Sequence, residues 1–124
     1  MTRDQQRLAD YLRHILEAIE RIDRYIQNVS EAAFLENQMI QDAVIRNLEI
    51  IGEASRNIVT RYPQFEASQP HLPLAFAYQM RNAVAHGYFK VDLGIVWKTI
   101  HKELPTLHGQ VQDAVADLRP DEGK

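Results

Sequence analysis

From Leu8 onward the chain sets an apolar residue every three or four positions: Leu8, Leu12, Ile15, Ile19, Ile22 and Ile26. That spacing is the repeat of a helix with one apolar face, and it predicts a long amphipathic helix from about Thr2 to Asn28. Thr2 and Gln5 have the make-up of a capping box at its start. Ser30, ahead of "EAAF", predicts a second N-cap and a short turn of helix. The next stripe is Ile40, Val44, Leu48, Ile51, Ala54 or Ser55, and Ile58. Its helix opens at Asn37 as N-cap and stops near Pro63. Ile45, Ile50 and Val59 broaden the stripe, which predicts a central helix packed on more than one side. Gly52 sits in its interior. A mid-helix glycine costs about 1 kcal/mol against alanine, which close approach of another helix or a ligand would offset.

The stretch "PQFEASQPHLP" holds three prolines in eleven residues and reads as loop. "LPLAFAYQMRNAVAHG" reads as a third major helix ending at Gly87, a good residue just past a helix end. Asp92 is placed to cap "LGIVWKTIHKEL", and Pro105 to sit in the first turn of a last helix reaching about Leu118. The tail "RPDEGK" is expected to fray. The expected fold is therefore all-α: an antiparallel bundle of four to five principal helices, one domain over residues 1–118, with a flexible tail over 119–124.

Composition narrows the function classes. The chain has 124 residues, 45% hydrophobic and 25% charged, with a formal net charge of −3. It is not a bulk polyanion binder, so a nucleic-acid contact needs a local basic patch. There are no cysteines, which removes disulfides, thiolate metal sites and cysteine nucleophiles. The absence of bridges, a polar start without an apolar core and the lack of a membrane-length apolar run point to the cytoplasm. His14, His71, His86, His101 and His108 are scattered, and no HExxH occurs, so no metal site is expected. No phosphate-binding glycine loop and no G-x-S-x-G is present either, and no cofactor is expected.

One stretch remains, "MRNAVAHGYFKVD", residues 80–92. With Met80 at zero and about 100 degrees per residue, Phe76, Ala83 and Val84 fall within about 60 degrees of it and form a core face. Arg81 lies at about 100 degrees, Asn82 at about 200 and His86 at about 240 by the same geometry. Asn82 and His86 are four apart and can touch; Arg81 reaches them from the flank. The trio points away from its own core, toward solvent or a second chain. Tyr88 comes just after the helix end. Spacing alone leaves a plainer use open: an arginine and a histidine near a helix C-terminus interact well with the helix dipole.

"RNAVAHGY" resembles the R-x4-H-x-Y signature of HepT-like proteins in the HEPN superfamily of small helical nucleases and binding modules. "DAVIRNLEIIGEASRNI" is similar to the family's helix ahead of the motif, and "FKVDLGIVWKTIHKELPTL" to the family's segment after it. The likeness runs from about Asn37 to Leu107; the stretch "YPQFEASQPHLPLAFAYQ" is less typical. The resemblance implies a HEPN-like bundle and a metal-independent ribonuclease that forms a homodimer. It implies the toxin of a toxin–antitoxin pair, neutralised by an MntA-like minimal nucleotidyltransferase that attaches AMP to Tyr88. By position Arg81 and His86 inherit the catalytic assignment, with Asn82 in support.

The chemistry is consistent with those residues. In metal-free cleavage the ribose 2′-OH attacks the adjacent phosphate, leaving a 2′,3′-cyclic phosphate and a 5′-OH. Histidine can take or give the proton near neutral pH, and arginine suits the charged phosphorane oxygens. Acid and base together want two histidines, and a two-fold dimer would supply the second. Glu53 beside Gly52 is a further supporting candidate, to pair with Arg81 or orient His86; a solvated helix charge is the equal alternative. Trp97 reads as a core plug more than a base-stacking platform. Lys90, Lys98 and Lys102 read as a solvated face more than a track for phosphates. The alternative function is a non-enzymatic HEPN module that binds and positions a nucleotidyltransferase or a nucleotide.

Overall fold

The computed structural model describes residues 2–74, 77 and 92–118. Six helices run through them: α1 (Arg3–Ile26), α2 (Glu31–Glu36), α3 (Gln38–Arg61), α4 (Pro63–Ser68), α5 (Leu93–Lys102) and α6 (Leu104–Asp117). No strand occurs among the described residues, so the all-α bundle expected from the periodicity is what forms. The third major helix expected over residues 72–87 lies outside the described residues, except at its start. There Leu72, Leu74 and Ala77 are buried, Leu74 and Ala77 in helical conformation. The tail 119–124 also lies outside them.

Local sequence sets the helix ends. At α1 the Gln5 amide donates to Thr2 Oγ1 at 3.1 Å while the Thr2 amide donates to Gln5 Oε1 at 2.9 Å, a reciprocal capping box. Past the end of α1, Asn28 takes φ 62°, the left-handed region that asparagine tolerates best after glycine. Ser30 Oγ accepts from the Ala33 amide, Asn37 Oδ1 from Ile40 and Asp92 Oδ1 from Ile95, all at 3.0–3.1 Å. Each satisfies an amide that the helix itself leaves unpaired. Asn37→Ala is expected to lower unfolding free energy by about 1 kcal/mol, with Asn37→Asp keeping most of it. Urea unfolding checks this, and equal midpoints for wild type and alanine variant would contradict it.

One expectation is corrected. Pro63–Ser68 is a short helix, α4, not loop. Pro63 stands in its first turn, where a missing N–H costs nothing, so the proline opens a helix as well as ending one. Pro70 and Pro73 come after its end.

The core forms where the apolar faces of α1 and α3 meet. Leu12, Ile15, Ile19 and Ile22 of α1 and Val44, Leu48, Ile51 and Ile58 of α3 are almost wholly removed from water. The Tyr62 hydroxyl donates to the Asp4 carbonyl at 3.1 Å, which brings the end of α3 to the start of α1 and sets the two helices antiparallel. Ile45, Ile50 and Val59 are half-buried against the same core, as a broad stripe on a central helix requires. Gly52 is buried on α3. Helix α6 adds Leu107, Val111 and Ala114 and joins α1 through His108 Nε2 and Glu20 Oε2, 2.9 Å apart. Phe34 of α2 meets Trp97 of α5 with ring centroids 5.2 Å apart; Trp97 is half-buried, so it plugs the core with one side only. No helix among the described residues is long and apolar enough to cross a membrane.

Candidate functional site

Arg81, Asn82, His86 and Tyr88 lie outside the described residues, as do Met80, Phe76, Ala83, Val84 and Lys90 of the same stretch. Of the candidate site residues, Glu53 is described. It lies on the side of α3 turned away from the core, about half exposed, with its carboxylate 3.9 Å from the Arg56 guanidinium.

That outer side is a second face of α3. Arg46, Glu49, Ile50, Glu53 and Asn57 recur at helical spacing, offset from the buried Val44, Leu48, Ile51 and Ile58. The same periodicity that builds the core thereby lines up a row of polar groups on the opposite side. With Tyr11 and His14 of α1, this row encloses an open cleft of about 380 Å³, in which Ile50 and Ala54 supply the apolar lining. The Tyr11 and His14 rings meet edge to face, centroids 6.4 Å apart at 77°. Across from them Arg46 stands 3.8 Å from Glu49. Such exposed pairs contribute about 0–1 kcal/mol, so either partner can exchange its contact for a ligand. On α1 beside the cleft, hydrogen bonds from Arg13, and then from Gln6, hold the Asp10 carboxyl below its ordinary range.

Sequence alone singles out Glu53 in this cleft but not Tyr11, His14, Arg46, Glu49 or Asn57. The signal lies in the polar positions of α3, which repeat as regularly as its apolar ones; what they face depends on how α1 packs, which spacing does not give. Two of the other described histidines, His101 and His108, are each engaged singly. His101 Nδ1 lies 2.8 Å from the Trp97 carbonyl and its ring lies against Trp97 at a tilt of 46°, while His108 pairs with Glu20. Among the described residues no group of three or more histidine, aspartate or glutamate side chains is arranged to hold a metal ion. Lys98 and Lys102 are exposed on α5. Inside α3, Asn47 donates from Nδ2 to the Ala43 carbonyl at 2.8 Å, but its buried Oδ1 has no hydrogen-bond partner among the described residues.

An all-α bundle whose sequence carries R-x4-H-x-Y on the segment before α5 is a HEPN-type protein. Comparison with known proteins makes the class specific. Residues 15–114 match the family described as Ribonuclease HepT-like, and the chain belongs to that family. It is 41% identical over 103 residues to a protein of Thermococcus cleftensis named "Probable ribonuclease HepT", covering 83% of this chain and 91% of that one. It is 38% identical over 108 residues to a Methanocaldococcus jannaschii protein named "Gamma-glutamylcyclotransferase and putative RNase". That match covers 87% of this chain, which spans only 47% of the relative's length. A "Putative RNase" of Caldanaerobacter subterraneus subsp. tengcongensis is 35% identical, with 83% of this chain and 89% of that one covered. No solved structure matches.

Proposed function

We propose that the chain is a metal-independent endoribonuclease, the toxin of a toxin–antitoxin pair. Membership of the HepT-like ribonuclease family, with Arg81, His86 and Tyr88 standing at the signature positions and Asn82 beside Arg81, carries this reading. Residues 1–118 act as one domain, and two copies pair so that Arg81 and His86 of both face one scissile phosphate.

At such a site one His86 takes the proton of the ribose 2′-OH as that oxygen attacks phosphorus. The other gives a proton to the departing 5′-oxygen. The bond to the 5′-oxygen breaks as the bond to the 2′-oxygen forms, leaving a 2′,3′-cyclic phosphate and a 5′-OH. The two guanidinium groups hold the phosphorane oxygens, where negative charge accumulates. Asn82 orients His86 or bonds a phosphate oxygen. Glu53 lies on a helix face turned away from its own core, which suits a carboxylate that positions Arg81 or the second copy's His86. The partner that silences the enzyme is an MntA-like minimal nucleotidyltransferase.

The deciding experiment is incubation of the purified chain with RNA in EDTA. Fragments ending in cyclic phosphate support the enzyme. Intact RNA across protein concentrations that sustain the dimer would leave a non-enzymatic module that binds the nucleotidyltransferase.

Tyr88 is the regulatory position. Transfer of AMP from ATP to its hydroxyl releases pyrophosphate and places a phosphate charge and a bulky base beside Arg81, where both compete with RNA. Incubation with the nucleotidyltransferase and ATP is expected to add one AMP mass per chain and to suppress cleavage. Tyr88→Phe is expected to escape both. An adduct that still forms on Tyr88→Phe would move the modification elsewhere.

A further inference from the structure

The described residues that line the cleft between α1 and α3 are not those of the 81–88 signature, yet Glu53 belongs both to its wall and to the proposed catalytic set. Its chemistry is selective. Phosphate is a poor match to the described lining, because Glu49 and Glu53 outnumber Arg46 there, and Arg46 already stands 3.8 Å from Glu49. A flat, uncharged ring is a good match. Tyr11 and His14 offer aromatic faces and edges, and Ile50 and Ala54 an apolar lining, within about 380 Å³. That volume lies in the range of small-ligand pockets, roughly 300–1,000 Å³. Aromatic residues of this kind stack nucleobases at about 1–3 kcal/mol each.

The carboxylates then choose among bases. An ionised carboxylate only accepts hydrogen bonds, through two adjacent oxygens. Guanine presents two adjacent donors on one edge, N1–H and the N2 amino group, and can meet both oxygens at once. Adenine and cytosine present a single amino group beside a ring acceptor. Uracil presents N3–H between two carbonyls that would face the carboxylate with like partial charge. Asn57, able to donate and accept, can serve guanine O6 or N7.

We propose that the α1–α3 cleft is a nucleobase subsite that takes guanine, with Glu49 reading its N1/N2 edge and Tyr11 stacking on its face. This rests on the ribonuclease proposal, and it deepens that proposal by giving the enzyme a preferred sequence. With Glu53 in its proposed supporting role, the guanine would sit next to the scissile phosphate.

Two measurements test it. In the first, guanosine and uridine 5′-monophosphates are titrated while the His14 ring resonances are monitored by NMR. Guanosine monophosphate is expected to shift them with an apparent affinity about tenfold or more above that of the uridine nucleotide. Glu49→Gln, nearly isosteric and on an exposed face, is expected to erase the difference. In the second, a mixed-sequence RNA is digested and its fragment ends are sequenced. Guanine is expected to be enriched at one fixed position beside the cut, and the ratio of guanine to uracil there to fall about tenfold in Glu49→Gln. Cleavage without enrichment, or equal response of His14 to both nucleotides, overturns the subsite and leaves the nuclease standing. Selective binding of the guanosine nucleotide with no cleavage of any RNA overturns the nuclease and leaves the subsite. His14 shifts that track protein concentration, with no nucleotide present, would assign the cleft to a protein contact and overturn the subsite.

Discussion

His86→Ala is expected to lower RNA cleavage by about 10²–10⁴-fold, the range for loss of a positioned general acid–base. Arg81→Ala is expected to lower it by about 10²–10³-fold, the range for removal of one group that stabilises charge in the transition state. Because the proposed two-fold site would use each residue from both copies, one substitution would remove it twice, and the observed losses should lie toward the upper ends. The sequence spacing predicts that both positions face away from the core, so neither change is expected to disturb folding. The check is initial rates on a defined oligonucleotide, beside light scattering and circular dichroism to show that the wild-type oligomeric state and helix content persist. Cleavage within a few-fold of wild type in either variant would remove that residue from the chemistry. Arg81→Lys separates charge from shape: lysine keeps the charge but not the planar fork, so partial recovery alone is expected.

Ile51→Ala is expected to be the most damaging of the truncations in α3. Ile51 is wholly buried where α3 meets α1, and deletion of such a side chain costs about 2–5 kcal/mol through lost burial and the cavity left behind. A domain of this size has roughly 5–15 kcal/mol in all, so the variant should lose a large share of its margin. Its urea midpoint should fall with the slope unchanged. Ile45→Ala, at a half-buried position, should cost less than half as much. Equal losses at the two sites would mean that the α1–α3 contact is not the close-packed centre of the molecule.

The helices are legible in the sequence because their signals are local. Thr2, Ser30, Asn37 and Asp92 cap the helices that begin after them, and the apolar stripes of α1 and α3 are the faces that become the core. Pro63 is ambiguous because a proline that ends one helix is equally suited to the first turn of the next, and spacing does not separate the two. Glu53 is legible as a candidate from its place in the "IGEA" stretch. Its neighbours in the cleft are not, since Tyr11 and His14 meet Glu49 and Asn57 only through the packing of two helices more than thirty residues apart in sequence. The signature residues 81–88 enter through resemblance to a family, which spacing along one helix could not replace.

The two faces of α3 make separate demands on the sequence. Residues 44, 48, 51 and 58 answer to stability, while 46, 49, 53 and 57 look out into the cleft. Exposed substitutions away from caps and cores usually change stability by no more than about 0.5 kcal/mol, and effects at non-contacting positions largely add. Mutational drift along the outer row can therefore retune what the protein meets without eroding its margin against unfolding. Folding alone would hold one side of the helix nearly constant and leave the other free, so whatever constancy Glu49 and Glu53 show among related genes would come from their proposed roles.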